Sequence, residues 1–219
     1  MQRVVRFVIK EFSYNLQKIF IFDIMIRNII LDMGGVLMQH NIPGCIARLK
    51  ELTGANFPRL GMDDKGEGTE LMGQFERGLI SLDDFLTQVL ALCRQGTTRE
   101  QVFEAWVSIH AGIPAERLNY VHQLKAQGYR LYLLSNNNDA CWQDIASQYD
   151  MSVFDELFLS HWIHIIKPDT ALFEYVQKRL NLNPDETVFV DDIEVNRLAA
   201  QRAVGWRTAE SLEALKAML

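Results

Sequence analysis

Three short apolar runs govern what this chain can fold into: Ile29-Ile30-Leu31, Leu131-Tyr132-Leu133-Leu134 and Thr187-Val188-Phe189-Val190. Each is too short for a helix and rich in β-branched or aromatic residues, so each reads as a buried strand of a parallel sheet. Polar or acidic segments follow them: Asp32-Met33-Gly34-Gly35-Val36 after the first, Ser135-Asn136 after the second, Asp191-Asp192 after the third. In open α/β sheets ligands bind just outside the carboxyl ends of the strands, which is where Asp32, Ser135 and Asp192 emerge. Lys167-Pro168 completes the set.

After residue 113 helix and strand patterns alternate, as a doubly wound fold requires. Pro114-Ala115-Glu116 opens a helix closed by Gly128, Tyr129 to Leu134 is a strand, and Asp139 to Tyr149 a helix. Glu156 to Leu159 is a strand, Asp169 to Leu180 a helix, Thr187 to Val190 a strand and Val195 to Ala203 a helix; Trp206-Arg207-Thr208 is a short last strand before a C-terminal helix. Between Val36 and Ile113 helical stripes take over: Ile46, Leu49 and Leu52; Phe85, Leu86, Val89 and Leu90; Val102, Phe103, Trp106 and Val107. Ser81 with Asp84, and Thr98 with Gln101, mark helix starts. The predicted architecture is α/β: a doubly wound, Rossmann-like parallel sheet core over residues 28–37 and 114–219, an inserted α-helical cap domain over 38–113, and an N-terminal extension over 1–27.

The order and spacing of the four polar segments resemble the haloacid dehalogenase (HAD) superfamily of phosphotransferases, over nearly all of residues 28–219. The resemblance implies an aspartyl phosphate at Asp32, since a carboxylate can attack phosphorus and divide one hard displacement into two easier ones. Mg²⁺ would remove the repulsion between carboxylate and phosphoryl group, and it takes one or two carboxylates besides water and phosphate oxygens. The family assigns direct ligation to Asp32, the Gly34 carbonyl and Asp192, with Asp191 outside them or as an additional ligand. Ser135 offers a hydroxyl and Asn136 an amide or backbone N–H to the phosphoryl oxygens, while Lys167 brings positive charge to the nucleophile and the aspartyl phosphate.

One position departs from the usual pattern. Family phosphatases carry a second aspartate two residues beyond the nucleophile, as general acid and base; here that residue is Gly34. A subgroup reads Asp-x-Gly-[Gly/Asn]-Val, and its best-known member hydrolyses α-D-glucose 1-phosphate. The chain is similar to that subgroup here, in Gln74-Phe75-Glu76-Arg77-Gly78 with Ile80-Ser81, and in the spacing from Asp191-Asp192 to Asn196. An anomeric oxygen leaves more readily than an ordinary alkoxide, so a sugar phosphate such as glucose 1-phosphate is the favoured substrate. His40, eight positions beyond Asp32, reads either as a replacement acid or as an exposed loop histidine. His161 and His164 read as surface residues flanking Trp162, with His164 placed to narrow the pocket entrance. Phe75, Glu76, Arg77, Trp106 and His110 are the cap residues expected to set substrate choice.

A formal charge of −6 gives no basic stripe, which argues against nucleic acid as a partner. Cys45, Cys93 and Cys141 show no metal-type spacing and suit free thiols in a reducing cytoplasm. No apolar run of about 18 residues exists to span a bilayer. Residues 1–24 lack the apolar stretch and cleavage site of a secretory signal. They read as a mis-called start or lineage-specific extension, or alternatively as an amphipathic segment that contacts a membrane surface or a partner. No pattern sets an oligomeric state.

The leading expectation is therefore a cytoplasmic, Mg²⁺-dependent phosphatase of a small phosphorylated metabolite. Two other readings compete with it: a catalytically weak or inactive binding protein, suggested by Gly34, and a 2-haloacid dehalogenase. The dehalogenase reaction needs no metal, and so no Asp191-Asp192 pair.

Overall fold

The computed structural model describes residues 25–60 and 70–219. The expectations for residues 1–24 lie outside the described residues. Five strands form one parallel sheet: β1 (Asn28–Leu31), β4 (Arg130–Ser135), β5 (Glu156–Leu159), β6 (Thr187–Val190) and β7 (Arg207–Ala209), in the order β5-β4-β1-β6-β7. The register sets Leu31 beside both Leu133 and Val190. The next residue of β1's chain, Asp32, therefore leaves the sheet level with Leu134 and Asp191, at the carboxyl edge.

Alternation along the strands divides the core in two. Ile29, Leu31, Leu131, Leu133, Val188 and Val190 face one layer of helices, through Val121 and Leu124 of α6 (Ala115–Ala126), Ile145 of α7 (Asp139–Gln148), and Leu212 and Leu215 of α11 (Leu212–Lys216). Ile30, Tyr132, Leu134 and Phe189 face the other, against Leu172, Phe173 and Val176 of α9 (Thr170–Leu180) and Ala200 of α10 (Glu194–Val204). Burial on both faces accounts for the uninterrupted apolar runs of the sequence.

Between β1 and β4 the chain builds the helical insert: α1 (Ile42–Thr53), α2 (Phe57–Leu60), α3 (Glu70–Glu76), α4 (Leu82–Leu90) and α5 (Arg99–Val107). Its own core stacks Phe75 on Phe85, centroids 4.1 Å apart, with Trp106 edge-on to Phe85 at 4.6 Å. Thr98 and Gln101 form a reciprocal capping box at the start of α5. Ser81 differs: its hydroxyl accepts from the Asp84 N–H and donates to the Asp84 carboxylate, because aspartate is one methylene shorter than the usual glutamate. Two strands too short for the sequence pattern to reveal, β2 (Gln39–His40) and β3 (His110–Gly112), pair antiparallel where the chain enters and leaves the insert. A one-turn helix, α8 (Ser160–Ile163), also went unpredicted. No described helix is long and apolar enough to cross a membrane, and all three cysteines are free.

Candidate active site

Asp32 emerges from β1 with 6% of its surface exposed. Its Oδ1 accepts from the Met33 N–H at 2.7 Å and lies 2.8 Å from Lys167 Nζ. These contacts engage Oδ1, and Asp32 lines the cavity above. Lys167 Nζ also reaches Asp191 Oδ2 at 2.6 Å, and Asp191 is wholly buried. Asn196 Nδ2 donates to both Asp191 oxygens at 3.1 Å, and the Ile193 N–H donates to Oδ1 at 2.8 Å. Asp191 is thus saturated with donors, whereas the neighbouring Asp192 carboxylate is exposed.

Burial pushes the Asp32 carboxyl up to about 6; the Lys167 charge pulls against this and Asp191 adds to the push. Burial works against the Lys167 charge, but Asp32 and Asp191 together hold its pKa above the ordinary value. The site therefore concentrates two carboxylates around one buried ammonium.

Donor oxygens of Asp32, Asp191 and Asp192 lie within 4.8 Å of one another. An all-oxygen, acidic set fits a hard divalent cation. Gly35 makes room for the Asp192 carboxylate: a Cβ there would fall 2.1 Å from Asp192 Oδ2, and the residue sits at φ +71°. Neither constraint is compatible with another residue type without rearrangement. Arg117 Nη1 braces the same turn through the carbonyls of Gly35 and Val36, at 3.1 and 2.9 Å. Arg197 Nη1 does likewise for the carbonyls of Asp191 and Asp192, at 2.7 and 2.9 Å. Sequence reasoning missed both arginines, since each lies on a helix with nothing to mark which loop it reaches.

Asn136 departs from expectation in its side chain. The amide accepts from the Lys167 N–H at 2.7 Å and donates to the Lys167 carbonyl at 3.0 Å, so it holds the lysine's backbone. Ser135, at the end of β4, is buried, and among the described residues its hydroxyl has only a long 3.3 Å contact to the Asn136 carbonyl.

A cavity of about 320 Å³ covers Asp32, lined by Gly34, Ser135, Asn136, Lys167 and Asp192 from the core side and by Glu76 and Ile42 from the insert. His40 and His110 line it where the two connections pair. Of the five insert residues expected to face the site, Glu76 and His110 do so. Phe75 and Trp106 are instead packed inside the insert's own core, because their rings are worth more there than at a wet cavity wall. Arg77 turns back to the Gly73 carbonyl at 3.2 Å. Burial raises the Glu76 carboxyl, with Arg77 opposing.

Of the two histidines beside Trp162, His164 is the surface residue expected and His161 is not. His161 is buried, and His164 Nδ1 contacts the Arg77 carbonyl at 2.6 Å, tying insert to core rather than narrowing the cavity. Ser160 makes a parallel tie, donating to the Glu76 carbonyl at 2.6 Å while accepting from the Asn137 N–H at 2.8 Å.

A parallel sheet with a helical insert after its first strand, and carboxylates at the ends of two adjacent strands, defines a capped, doubly wound α/β fold with an acidic site. The chain belongs to the haloacid dehalogenase-like hydrolases, whose family model matches residues 26–204. It is similar to a D-ribitol-5-phosphate phosphatase of Bacteroides thetaiotaomicron, 32% identical over 77% of this chain and 84% of the relative. It is also similar to a sesquiterpene phosphatase of Aspergillus oryzae, 30% identical over 84% of this chain and 90% of the relative. Among solved structures, a B. thetaiotaomicron HAD family enzyme in complex with magnesium and inorganic phosphate superposes with a TM-score of 0.75, at 29% identity, over 84% of this chain and 93% of that one.

Proposed function

We propose that the protein is a Mg²⁺-dependent phosphatase that hydrolyses a small phosphorylated metabolite through an aspartyl phosphate at Asp32. The observation that carries this reading is the Asp32 carboxylate itself, anchored through Oδ1 by Met33 and Lys167 in the lining of the cavity. Asp32, the Gly34 carbonyl and Asp192 would hold the cation, with Asp191 behind them fixing Lys167. When bound, Mg²⁺ supplies charge neutralisation between the carboxylate and the phosphoryl oxygens. Lys167 holds Asp32 in its attacking orientation and stabilises charge on the phosphoryl group. The Ser135 hydroxyl and the Asn136 N–H complete the phosphoryl contacts. Positioning and electrostatics of this kind are most of what phosphoryl transfer requires of a protein.

The same reading divides the chain into a core over 28–37 and 114–219, where the chemistry sits, and a cap over 38–113, which delivers Glu76 and His110 to the leaving group. A sugar phosphate is the favoured substrate, glucose 1-phosphate first, because its anomeric oxygen leaves without much proton donation. The name of the B. thetaiotaomicron relative refers to the phosphate of a sugar alcohol, a primary-alkyl ester. Such esters belong beside glucose 1-phosphate in any test.

Phosphate release from p-nitrophenyl phosphate, glucose 1-phosphate, glucose 6-phosphate and ribitol 5-phosphate, with Mg²⁺ or with EDTA, tests this. The expected result is turnover that requires Mg²⁺ and is fastest with glucose 1-phosphate. Metal-independent release, or none from any of the four, would overturn the reading. A faster rate with ribitol 5-phosphate would overturn the glucose 1-phosphate assignment alone.

A further inference from the structure

The position two residues beyond Asp32 carries no side chain, yet the space beside it is filled. A Cβ on Gly34 would fall 2.4 Å from His40 Cε1 and 3.0 Å from His40 Nε2. The imidazole therefore lies along the direction a side chain at position 34 would take. Local structure holds it there. The turn after Asp32 closes through a bridge between Gly34 and Met38, and His40 then enters β2, in register with His110 of β3.

The two histidines of that ladder differ in what they have left to offer. His110 Nδ1 is bound to the Asp144 carboxylate at 2.7 Å. The His40 ring is exposed and makes no hydrogen bond to protein among the described residues, while it lines the cavity that holds Asp32.

We propose that His40 is a catalytic residue whose ring N–H hydrogen-bonds the leaving oxygen of the phosphoester, from the place the missing side chain would occupy. The inference rests on Asp32 being the nucleophile. In that step Asp32 Oδ2 forms a bond to phosphorus as the bond from phosphorus to the ester oxygen breaks. The bonding pair stays on the leaving oxygen, which His40 stabilises by its hydrogen bond and which takes a proton from water. The hydroxide so formed attacks the phosphorus of the aspartyl phosphate, releasing inorganic phosphate and restoring the carboxylate. Both tautomers of the neutral ring carry one N–H, so donation requires no change of protonation.

A donor aimed at developing negative charge contributes most where that charge is greatest. The test is therefore the dependence of rate on the leaving group, measured as kcat/KM for a series of ring-substituted phenyl phosphates from p-nitrophenyl to unsubstituted phenyl. His40→Ala is expected to lose more at each step toward the more basic leaving group, reaching about a 10²-fold loss at phenyl phosphate. The loss at p-nitrophenyl phosphate should be at least about tenfold smaller. His40→Gln, which keeps an N–H donor, should recover part of the difference, as no structural role alone would require. A second variant uses the shared space: Gly34→Asp alone must collide with His40, whereas Gly34→Asp with His40→Ala should exceed either single change in turnover of phenyl phosphate. A loss equal across the series, or no loss, overturns the role of His40 and leaves the phosphatase reading intact. Absence of turnover by the unaltered protein on every member overturns both.

Discussion

Lys167 Nζ lies 2.8 Å from Asp32 Oδ1 in an ion pair whose side chains are 2% and 8% exposed. Burying two charges is costly, and a buried pair is weak evidence of stabilisation. The pair makes sense instead as a device that fixes the Asp32 carboxylate through Oδ1 at the wall of the cavity. Asp191 on the far side of the ammonium, 2.6 Å away, keeps the lysine from swinging out.

Removing the ammonium should therefore damage both function and fold. Lys167→Met leaves Asp32 and Asp191 buried without a counter-charge, which costs about 3–5 kcal/mol. Turnover should fall by about 10²–10³-fold, as for loss of a charge-stabilising donor. Denaturant unfolding and kcat on p-nitrophenyl phosphate check the two effects. A stable variant with unchanged kcat would contradict the account.

Gly35→Ala probes the proposed metal site from outside its proposed ligands. The new Cβ would press on the Asp192 carboxylate, at a positive φ that costs roughly 1–2 kcal/mol for a residue with a side chain. The Mg²⁺ concentration needed for half-maximal activity should rise by about 10–100-fold, the range for disturbing a group that orients a ligand. Titration of activity and of thermal stability with Mg²⁺ measures it, and an unchanged midpoint in both would tell against Asp192 as a ligand.

The strands and the four polar segments were readable because burial on both faces of the sheet leaves an apolar run, and because the chain must leave each strand at the carboxyl edge. Glu156–Leu159 and Thr187–Val190 have the ends that the sequence pattern implied. What stayed hidden depends on contacts between distant segments. The two-residue strand at His40 has no periodicity of its own and exists through its pairing with His110. Phe75 and Trp106 carry the same helical signature whether they face a cavity or each other, and only tertiary packing separates the cases. Asn136 resembles a phosphate-binding amide in sequence, and its bonds to Lys167, 31 residues on, redirect it.

Gly78 marks a close approach of insert and core. Its φ is +63°, and a Cβ would fall 2.2 Å from the His161 carbonyl oxygen. Gly78→Ala should separate the two layers, raising KM while kcat changes less, and lowering the melting temperature. Steady-state kinetics beside a thermal melt would settle the matter; an unaltered KM and melting temperature would mean that the contact does not hold the insert in place.

His161 gives the protein an acid-sensitive point away from the Asp32, Asp191 and Asp192 carboxylates. Burial holds its pKa below the ordinary 6.5, with the Asn137 backbone and the Asp139 charge opposing, and neither ring nitrogen has a hydrogen bond of good geometry among the described residues. As pH falls through 6.5 the unfolded chain takes up a proton that the folded chain still refuses, so unfolding is favoured. The stability present above 6.5 is lost down to the lower folded pKa. His161→Leu should flatten this limb in urea unfolding measured from pH 7.5 to pH 5, and a limb of undiminished slope would exclude His161 as its source.

The most direct measurement is capture of the covalent intermediate. The protein is quenched in acid during turnover of p-nitrophenyl phosphate, digested, and its peptides weighed by mass spectrometry. The account predicts a phosphoryl group on the peptide that contains Asp32, requiring Mg²⁺, with neither the adduct nor turnover in Asp32→Asn. Steady turnover that leaves no adduct and persists in Asp32→Asn would contradict it.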